Sequence, residues 1–250
     1  MHSLVAALRS GSAELLRLNA SAPLAERSPS PRFRETRHLN SELPHFSVAG
    51  ILLAAGASSR MGAPKLLLAW QGTSILGHLL DQWRQLGAAH LGIVHAASPA
   101  DAQVSAELDR LLFPAGDRIL NPHPQQGMFS SIQCAANWPG WQPGLTHWII
   151  TLGDQPHLCP ETLQALLDFG AAHAGKICQP LRQGRRRHPV LLPQNIFLAL
   201  KNSTARDLKD FLQSMSGDFA GWESDDAGLD FDLDTPADYE RALRFAFKST

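Results

Sequence analysis

Short apolar runs alternate with segments of helical periodicity from Val48 onward. The run from Val48 to Ala54 predicts a first buried strand, and the run from Leu91 to His95 predicts a second. Between them, apolar residues recur at the spacing of one helical face, namely Ile75, Leu76, Leu79, Leu80, Trp83 and Leu86. This order is typical of a βαβ unit, so the sequence predicts an α/β protein with a mostly parallel central sheet covered by helices.

The same alternation continues toward the C terminus. Further strands are predicted over residues 118–120, 148–152, 176–179 and 188–192, and further helices over residues 127–137, after Pro160, and around residues 208–215. The last helix has the clearest start, because Thr235 suits the N-cap, Pro236 suits the first helical position and Asp238 follows as a near capping box.

The chain length favours one catalytic domain. With 250 residues, 44% of them hydrophobic, the chain can bury one substantial core. Residues 1–45 differ in composition and include the run Ser-Pro-Ser-Pro-Arg at positions 28–32. We therefore expect residues 1–45 to form a flexible N-terminal extension and residues 46–250 to form the domain.

Charge and cysteine content exclude several classes of function. A formal net charge of -1 gives no basic field, so neither a nucleic-acid partner nor an anionic membrane surface is indicated. No run approaches the roughly 18 apolar residues of a membrane span. Three widely spaced cysteines without a CxxC pair predict free thiols rather than a disulfide framework. We expect a soluble, cytoplasmic protein.

The most informative segment, LAAGASSRMGAPK at positions 53–65, follows the first strand directly. Its small residues let backbone N–H groups approach a phosphate chain, and its Arg and Lys neutralise that charge. The nucleotide-binding candidates here are Leu53, Ala54, Ala55, Gly56, Ala57, Ser58, Ser59, Arg60 and Lys65. The segment fits neither the GxGxxG fingerprint nor the P-loop, which argues against an NAD-dependent oxidoreductase.

Five segments in order resemble the MobA-like NTP transferase family, in particular the molybdenum cofactor cytidylyltransferases (MocA-like). They are LAAGASSRMGAPK (53–65), NPHPQQGMFSSI (121–132), LGDQP (152–156), HPVL (188–191) and DLDTPAD (232–238). The resemblance implies a Rossmann-like, GT-A-like three-layer fold. It also implies Mg²⁺-dependent transfer of CMP from CTP to molybdopterin, with release of pyrophosphate.

Several alternatives stay open at this point. The acceptor is molybdopterin or another phosphorylated small molecule, such as a sugar or polyol phosphate, and GTP is an alternative to CTP. By resemblance, the LAAG sequence at positions 53–56 accompanies cytidine specificity. A non-catalytic chaperone that binds the cofactor for a molybdoenzyme would use the same pocket, and a molybdoenzyme is a candidate partner of the enzyme as well.

Two aspartates are the candidate Mg²⁺ ligands, because Mg²⁺ takes one or two carboxylates together with phosphates and waters. Asp154 follows the apolar run 148–152 and is therefore expected at the carboxyl edge of the sheet. Asp234 precedes the last helix, and the resemblance places it opposite Asp154. Asp232, two residues earlier on an extended segment, is a substitute ligand.

The catalytic candidates are Lys65, Arg60 and Asp154. Lys65 is expected at the α-phosphate and Arg60 at the β- and γ-phosphates. No general base is required, since an acceptor phosphate is already ionised near neutral pH. Gly127, Ser130 and Ser131 are candidates for contacts with the nucleotide, although the serines also suit a helix start.

The acceptor-binding candidates are Arg187, His188 and Pro189. The family usually has glycine where Arg187 stands, within the run Arg185–Arg187. A second departure is the reduced element NSTAR at positions 202–206. Both departures fall where the resemblance expects the acceptor, and the arginine run suits either a solvated turn or a cationic rim for a phosphorylated molecule.

Overall fold

The computed structural model describes residues 45–56, 61, 64–96 and 99–246, so residues 1–44 of the predicted extension lie outside the described part. Within it, the strands are β1 (Val48–Leu53), β2 (Ala69–Trp70), β3 (Thr73–Ser74), β4 (His90–Ala96), β5 (Arg118–Asn121), β6 (His147–Leu152), β7 (Ile177–Arg182), β8 (Arg185–Arg186), β9 (Val190–Pro193) and β10 (Phe219–Glu223). The helices are α1 (Ile75–Gln85), α2 (Pro99–Arg110), α3 (Met128–Asn137), α4 (Pro160–Ala172), α5 (Gln194–Ala199), α6 (Leu208–Ser214) and α7 (Pro236–Ala246).

The central sheet is mostly parallel, as the sequence predicts. Its strands follow the order β10-β7-β9-β6-β1-β4-β5, with β8 added to β7, while β2 and β3 form a separate hairpin. β1 pairs in parallel with both β4 and β6, and β4 with β5. β9 runs antiparallel to both of its neighbours, β6 and β7.

Helices cover both faces of the sheet, which gives the predicted three layers. Along β1, Ala49 and Ile51 point into a core shared with α3, α5 and α6. Val48 and Leu52 point to the opposite face, into cores that contain residues of α1, α2, α4 and α7. This alternation along one strand buries both faces, as expected for the centre of an α/β sheet.

The C-terminal helix begins as the sequence predicts. The Asp238 carboxylate accepts hydrogen bonds from the backbone N–H of Thr235 at 3.0 Å and from its hydroxyl at 2.7 Å. The Thr235 hydroxyl in turn accepts from the N–H of Asp238 at 3.2 Å. These reciprocal bonds fix where α7 starts, and therefore where the residues that precede it lie.

The strand predicted over residues 188–192 begins later, at Val190, and runs antiparallel. Pro189 has no backbone N–H to donate, so the hydrogen-bonded ladder starts after it. The peptide bond between His188 and Pro189 is cis. Elements α2, α5 and β10 were not predicted, because their apolar patterns are short or interrupted by polar residues.

In the described part of the chain, no helix combines the length and apolar character needed to cross a membrane.

The three cysteines are free thiols, with Cys178 buried and the other two partly buried. Burial is the main cause that raises the pKa of Cys159 and Cys178 to about 11, so both stay protonated near neutral pH.

His147 gives a testable pH dependence. The residue is 3% exposed, its Nε2 lies 2.8 Å from the Ala174 carbonyl, and burial lowers its pKa below the ordinary 6.5. The folded ring therefore stays neutral while the unfolded ring takes up a proton, so its contribution to stability is present above pH 6.5 and is lost as the pH falls through 6.5.

We expect the free energy of unfolding of His147→Phe to fall less steeply as the pH is lowered, by up to about 1.4 kcal/mol per pH unit, because the variant has no ring to protonate in the unfolded state. Urea unfolding at several pH values between 5 and 7, about the span over which a histidine titrates, measures this slope. Identical slopes for the variant and the unchanged protein would contradict the prediction.

Candidate functional site

The carboxyl end of β1 begins the predicted phosphate-binding loop. Ala54 is buried and its N–H donates to the Val94 carbonyl at 2.8 Å, while Gly56 is exposed. The predicted nucleotide-binding residues Leu53 and Ala55 are partly buried beside them. Residues 57–60, which include the predicted contacts Ala57, Ser58, Ser59 and Arg60, lie outside the described part, so their roles stay predictions.

Gly153 allows the turn after β6 to pack against the segment after β1. A Cβ atom at position 153 would lie 2.8 Å from Cδ2 of Leu66 and 3.1 Å from the backbone oxygen of Leu53. Leu66 is buried and directly follows Lys65. Because no side chain separates the two segments at position 153, Lys65 is brought next to Asp154.

Lys65 lies between two of the predicted acidic residues. Its Nζ is 2.8 Å from Oδ2 of Asp154 and 3.9 Å from Oδ1 of Asp234, and it donates to the Leu233 carbonyl at 3.5 Å. The side chains of Lys65 and Asp154 are only 16% and 20% exposed. The structure thus brings together the predicted phosphate-binding lysine and both predicted metal ligands, from three separate segments of the chain.

The segment that carries Asp234 is also fastened directly to the turn after β6. The Leu233 N–H donates to the Asp154 carbonyl at 3.0 Å, and Nε2 of Gln155 donates to Oδ1 of Asp232 at 2.8 Å. Burial and then the neighbouring Asp154 charge raise the pKa of Asp232, although the bond from Gln155 opposes that shift. A third carboxyl group therefore adjoins the predicted pair.

The donor set fits a hard divalent cation. In the part of the chain that the structure describes, no three His, Cys, Asp or Glu side chains form a metal-binding group by themselves. Mg²⁺, however, takes only one or two carboxylates when substrate phosphates and waters complete its shell. Oδ1 of Asp154 is buried without a hydrogen-bond partner among the described residues, and Asp234 is 52% exposed.

The loop between β5 and α3 is organised by Asn121, which is fully buried. Its Nδ2 donates to the hydroxyl oxygens of Ser130 and Ser131, both at 2.9 Å, and its Oδ1 accepts from the N–H of His123. The Ser130 hydroxyl lies 2.8 Å from the carbonyl of Gly127. Both predicted serines therefore take part in holding this loop, at the same carboxyl edge of the sheet as β1.

The acceptor-binding candidates lie just before β9. Burial lowers the pKa of His188, while the Asp154 charge and a hydrogen bond with the Ile150 backbone oppose that shift. His188 is thus within electrostatic range of the predicted metal ligand, and Pro189 is buried beside it. Arg187 instead bonds Oδ1 of Asp230 at 2.7 Å, so its charge is already paired.

The model of the MobA-like NTP transferase domain matches residues 50–219, which is well over half of the chain. The chain belongs to the MobA-like NTP transferase family. The prediction of a nucleotidyltransferase of this type is thereby confirmed. The matched range contains Lys65 and Asp154 but ends before Asp234.

Three curated relatives share part of the sequence. The molybdenum cofactor cytidylyltransferase of Escherichia coli K12 is 26% identical over 190 residues, covering 76% of this chain and 92% of that protein. The molybdenum cofactor guanylyltransferase of Rhizobium johnstonii is 28% identical over 170 residues, 66% of this chain and 74% of that protein. The bifunctional protein GlmU of Corynebacterium glutamicum strain R is 36% identical over 130 residues, 49% of this chain but only 25% of that protein.

Solved structures agree with the fold. Rv0371c of Mycobacterium tuberculosis H37Rv, crystallised in complex with manganese, is 27% identical and has a TM-score of 0.60, covering 79% of this chain and 98% of that chain. A nucleotidyl transferase of Methanothermobacter thermautotrophicus is 17% identical and has a TM-score of 0.66, covering 82% of this chain and 99% of that chain. At this identity it supports the fold alone. The predicted Rossmann-like nucleotidyltransferase fold is confirmed.

Two polar residues of this region, Gln155 and Asp230, had no predicted role. Gln155 lies inside the LGDQP segment, and its place directly after Asp154 at a predicted strand end was the available signal. Asp230 accepts hydrogen bonds from both Arg182 and Arg187. No pattern in the sequence points to that pairing, because it joins segments more than 40 residues apart.

Removing the Lys65 ammonium from beside its carboxylates should destabilise the fold. We expect Lys65→Met to lower the free energy of unfolding by about 2 kcal/mol, since it leaves a mostly buried carboxylate without its ammonium partner. Lys176→Met is the matched control, because Lys176 and Asp218 are 43% and 49% exposed and 3.8 Å apart. Its effect should stay within about 0.5 kcal/mol.

Urea unfolding at about pH 7 without divalent metal measures the free energy of unfolding of both variants. Equal losses in the two lysine variants would contradict a special role for the Lys65 contact.

Proposed function

We propose that this chain transfers CMP from CTP to the phosphate of molybdopterin and releases pyrophosphate, with Mg²⁺ as its cofactor. The observation that carries the proposal is the position of Lys65 against Asp154 and Asp234 at the carboxyl edge of the sheet. That edge is where open α/β sheets bind their ligands. One cation and two carboxylates together suit a polyphosphate that carries a divalent ion.

Asp154 and Asp234 would hold the metal ion, with Asp232 adjoining them. When bound, such an ion neutralises charge on the triphosphate and on the leaving pyrophosphate. Oδ1 of Asp154, which is buried without a partner among the described residues, supports this assignment, since a buried carboxylate oxygen otherwise carries an uncompensated desolvation cost. The relative crystallised with manganese also supports a divalent ion here.

Lys65 stabilises the charge that develops at the α-phosphate. An oxygen of the acceptor phosphate forms a bond to the α-phosphorus while the bond from that phosphorus to pyrophosphate breaks on the opposite side. Both reactants are anions, so the barrier is governed largely by charge neutralisation. The Lys65 ammonium, which contacts Asp154 in this structure, exchanges that carboxylate for the phosphate oxygen during the reaction.

The choice of CTP rests on the LAAG sequence and on the relative named molybdenum cofactor cytidylyltransferase. A relative named molybdenum cofactor guanylyltransferase makes GTP the alternative to test. A pocket shaped for the hydrogen-bonding edge of one base discriminates strongly against the other, so the nucleotide preference should be sharp.

His188 and Pro189 are proposed contacts of the acceptor. His188 is within electrostatic range of Asp154, which fits a position beside the reacting phosphates. Arg187, which pairs with Asp230 in this structure, is a third proposed contact, and the exposed Arg185 and Arg186 adjoin it where an acceptor phosphate would arrive from solvent. Arg186 also lies over the Phe219 ring, with 3.6 Å between its Cζ and the ring centroid.

Pyrophosphate release from the purified full chain tests the proposal. CTP, GTP, ATP and UTP are each supplied with Mg²⁺, with and without molybdopterin, and with a sugar phosphate as a second acceptor; EDTA replaces the metal in a control series. Mass spectrometry of the product identifies the transferred nucleotide. Release that requires CTP, molybdopterin and the divalent ion is the expected result.

The other outcomes point to the alternatives. Release with GTP but not with CTP would indicate a guanylyltransferase. Release with a sugar phosphate but not with molybdopterin would indicate that the acceptor is a sugar phosphate. Binding of a nucleotide-modified cofactor without any release would favour a chaperone that carries the cofactor to a molybdoenzyme. Activity that persists in EDTA would contradict the metal assignment.

Two substitutions test the roles of the central residues. We expect Asp154→Asn to abolish transfer and Lys65→Ala to lower kcat/KM by at least about a hundredfold, because both remove charge that acts on the transition state. Asp218→Asn is the matched control, since it removes an exposed carboxylate that pairs with a lysine far from the site. Circular dichroism shows that each variant is folded, and wild-type turnover in Asp154→Asn would contradict its role.

A further inference from the structure

The turn that carries Asp154 is anchored to α1. Nε2 of His78 lies 3.0 Å from the Pro156 carbonyl, and Nε2 of Gln82 donates to the Leu158 carbonyl at 3.2 Å. His78 and Gln82 are one helical turn apart and so face the turn together. The residues that follow Asp154 are therefore held rigidly against a helix of the core.

His157 projects from this anchored turn to the segment that carries the other two carboxylates. Its Nε2 lies 3.0 Å from the Gly228 carbonyl and 3.1 Å from the Phe231 carbonyl. Its ring stacks on the Phe231 ring, with 4.1 Å between the centroids and 5° between the planes. His157 is 4% exposed, so these contacts are shielded from water.

The geometry fixes the protonation of the ring. Both contacts of Nε2 are carbonyl oxygens, which only accept, so Nε2 carries the hydrogen. Nδ1 is buried and has no hydrogen-bond partner among the described residues. Burial also lowers the pKa of His157. The ring acts as a neutral, single-hydrogen donor shared between two carbonyl groups.

The two carbonyl groups that His157 contacts belong to the segment that carries Asp232 and Asp234. Phe231 directly precedes Asp232, and Asp234 follows two residues later. Asp226, at the start of the same segment, accepts a hydrogen bond from the Thr162 hydroxyl at 2.8 Å. His157 thus holds the middle of a segment whose start is fixed to α4 and whose end carries the predicted metal ligands.

We propose that His157 is a positioning residue, which sets Asp232 and Asp234 relative to Asp154 by donating to the Gly228 and Phe231 carbonyls and stacking on Phe231. The inference rests on the proposed metal and nucleotide chemistry of this site. The hydrogen bonds and ring stacking of His157 reach backbone carbonyls and an aromatic ring of the segment, so His157 acts on the carboxylates through the backbone that carries them. Groups that orient metal ligands typically change metal affinity by about 10- to 100-fold when removed.

The test measures Mn²⁺ binding to the full chain by electron paramagnetic resonance, without nucleotide or acceptor. His157→Phe keeps an aromatic ring to stack on Phe231 but removes the donor, whereas His157→Gln keeps an N–H donor at a similar reach. His147→Phe is the matched control. His147 is equally buried, bonds a backbone carbonyl through Nε2 and contacts the Phe46 ring, but it lies at the opposite edge of the sheet.

We expect His157→Phe to weaken Mn²⁺ binding by at least about tenfold, His157→Gln to restore most of that loss, and His147→Phe to bind as the unchanged protein does. In turnover with nucleoside triphosphate, the metal concentration for half-maximal rate should rise in His157→Phe. Saturating metal should then recover most of kcat. If His157 served only the stability of the fold, variants that are folded to the same extent would bind the metal equally well.

Unchanged Mn²⁺ affinity in folded His157→Phe would overturn the inference, and so would an equal loss in His147→Phe. Should His157→Phe not fold, His157→Gln and His157→Met replace it as a pair that differs in the donor; equal affinities in that pair would overturn the inference. If the unchanged chain binds no Mn²⁺, either alone or with nucleoside triphosphate added, the metal assignment and this inference fail together. Mn²⁺ binding without pyrophosphate release would count against the proposed substrates alone and leave the role of His157 supported by the variant series.

Discussion

The ion pair between Lys65 and Asp154 joins segments 89 residues apart, and the rest of the site depends on it. The parallel pairing of β1 with β6 makes it feasible, because Leu53 lies opposite Leu152 and both strands leave the sheet at the same level. Gly153 then allows the turn after β6 to pack closely against Leu53 and Leu66. Leu66 is buried and directly follows Lys65, so it fixes the backbone beside Lys65. The register of two core strands therefore helps to bring a cationic side chain next to a carboxylate.

Three carboxyl groups in one region are unfavourable unless cations neutralise them. The raised pKa of Asp232 reflects this cost, since burial and the Asp154 charge both disfavour its ionised form. The protein meets the cost with rigid neighbours: Lys65 between Asp154 and Asp234, a hydrogen bond from Gln155 to Asp232, and a backbone bond from Leu233 to the Asp154 carbonyl. Such an arrangement contributes little net stability, and a divalent ion that carries a polyphosphate gives it a chemical purpose.

The sequence predicted the central elements well because their signals are local. An apolar run that ends in Gly-Asp identifies β6 and Asp154, and Thr-Pro followed by Asp identifies the start of α7 and hence the position of Asp234. The contacts that fix these residues relative to each other were not predictable in this way. His157 bonds carbonyl groups more than 70 residues away, and backbone carbonyls leave no trace in the sequence. The antiparallel direction of β9 escaped for a related reason, since a buried apolar run reads the same in either direction.

The direction of β9 explains why the segment that precedes it reaches the same edge of the sheet as the segments that follow the parallel strands. Strands β1, β5 and β6 bring residues to that edge at their carboxyl ends: Asn121 ends β5, while Lys65 and Asp154 follow β1 and β6. Because β9 runs the opposite way, the residues that precede it arrive at the same edge. Its pairing of Val190 with Ile150 places His188 beyond the last paired position, toward the level at which Leu152 ends β6. An antiparallel strand among parallel ones therefore lets the proposed acceptor contacts face the proposed nucleotide and metal contacts without a long loop, which would cost conformational entropy to order.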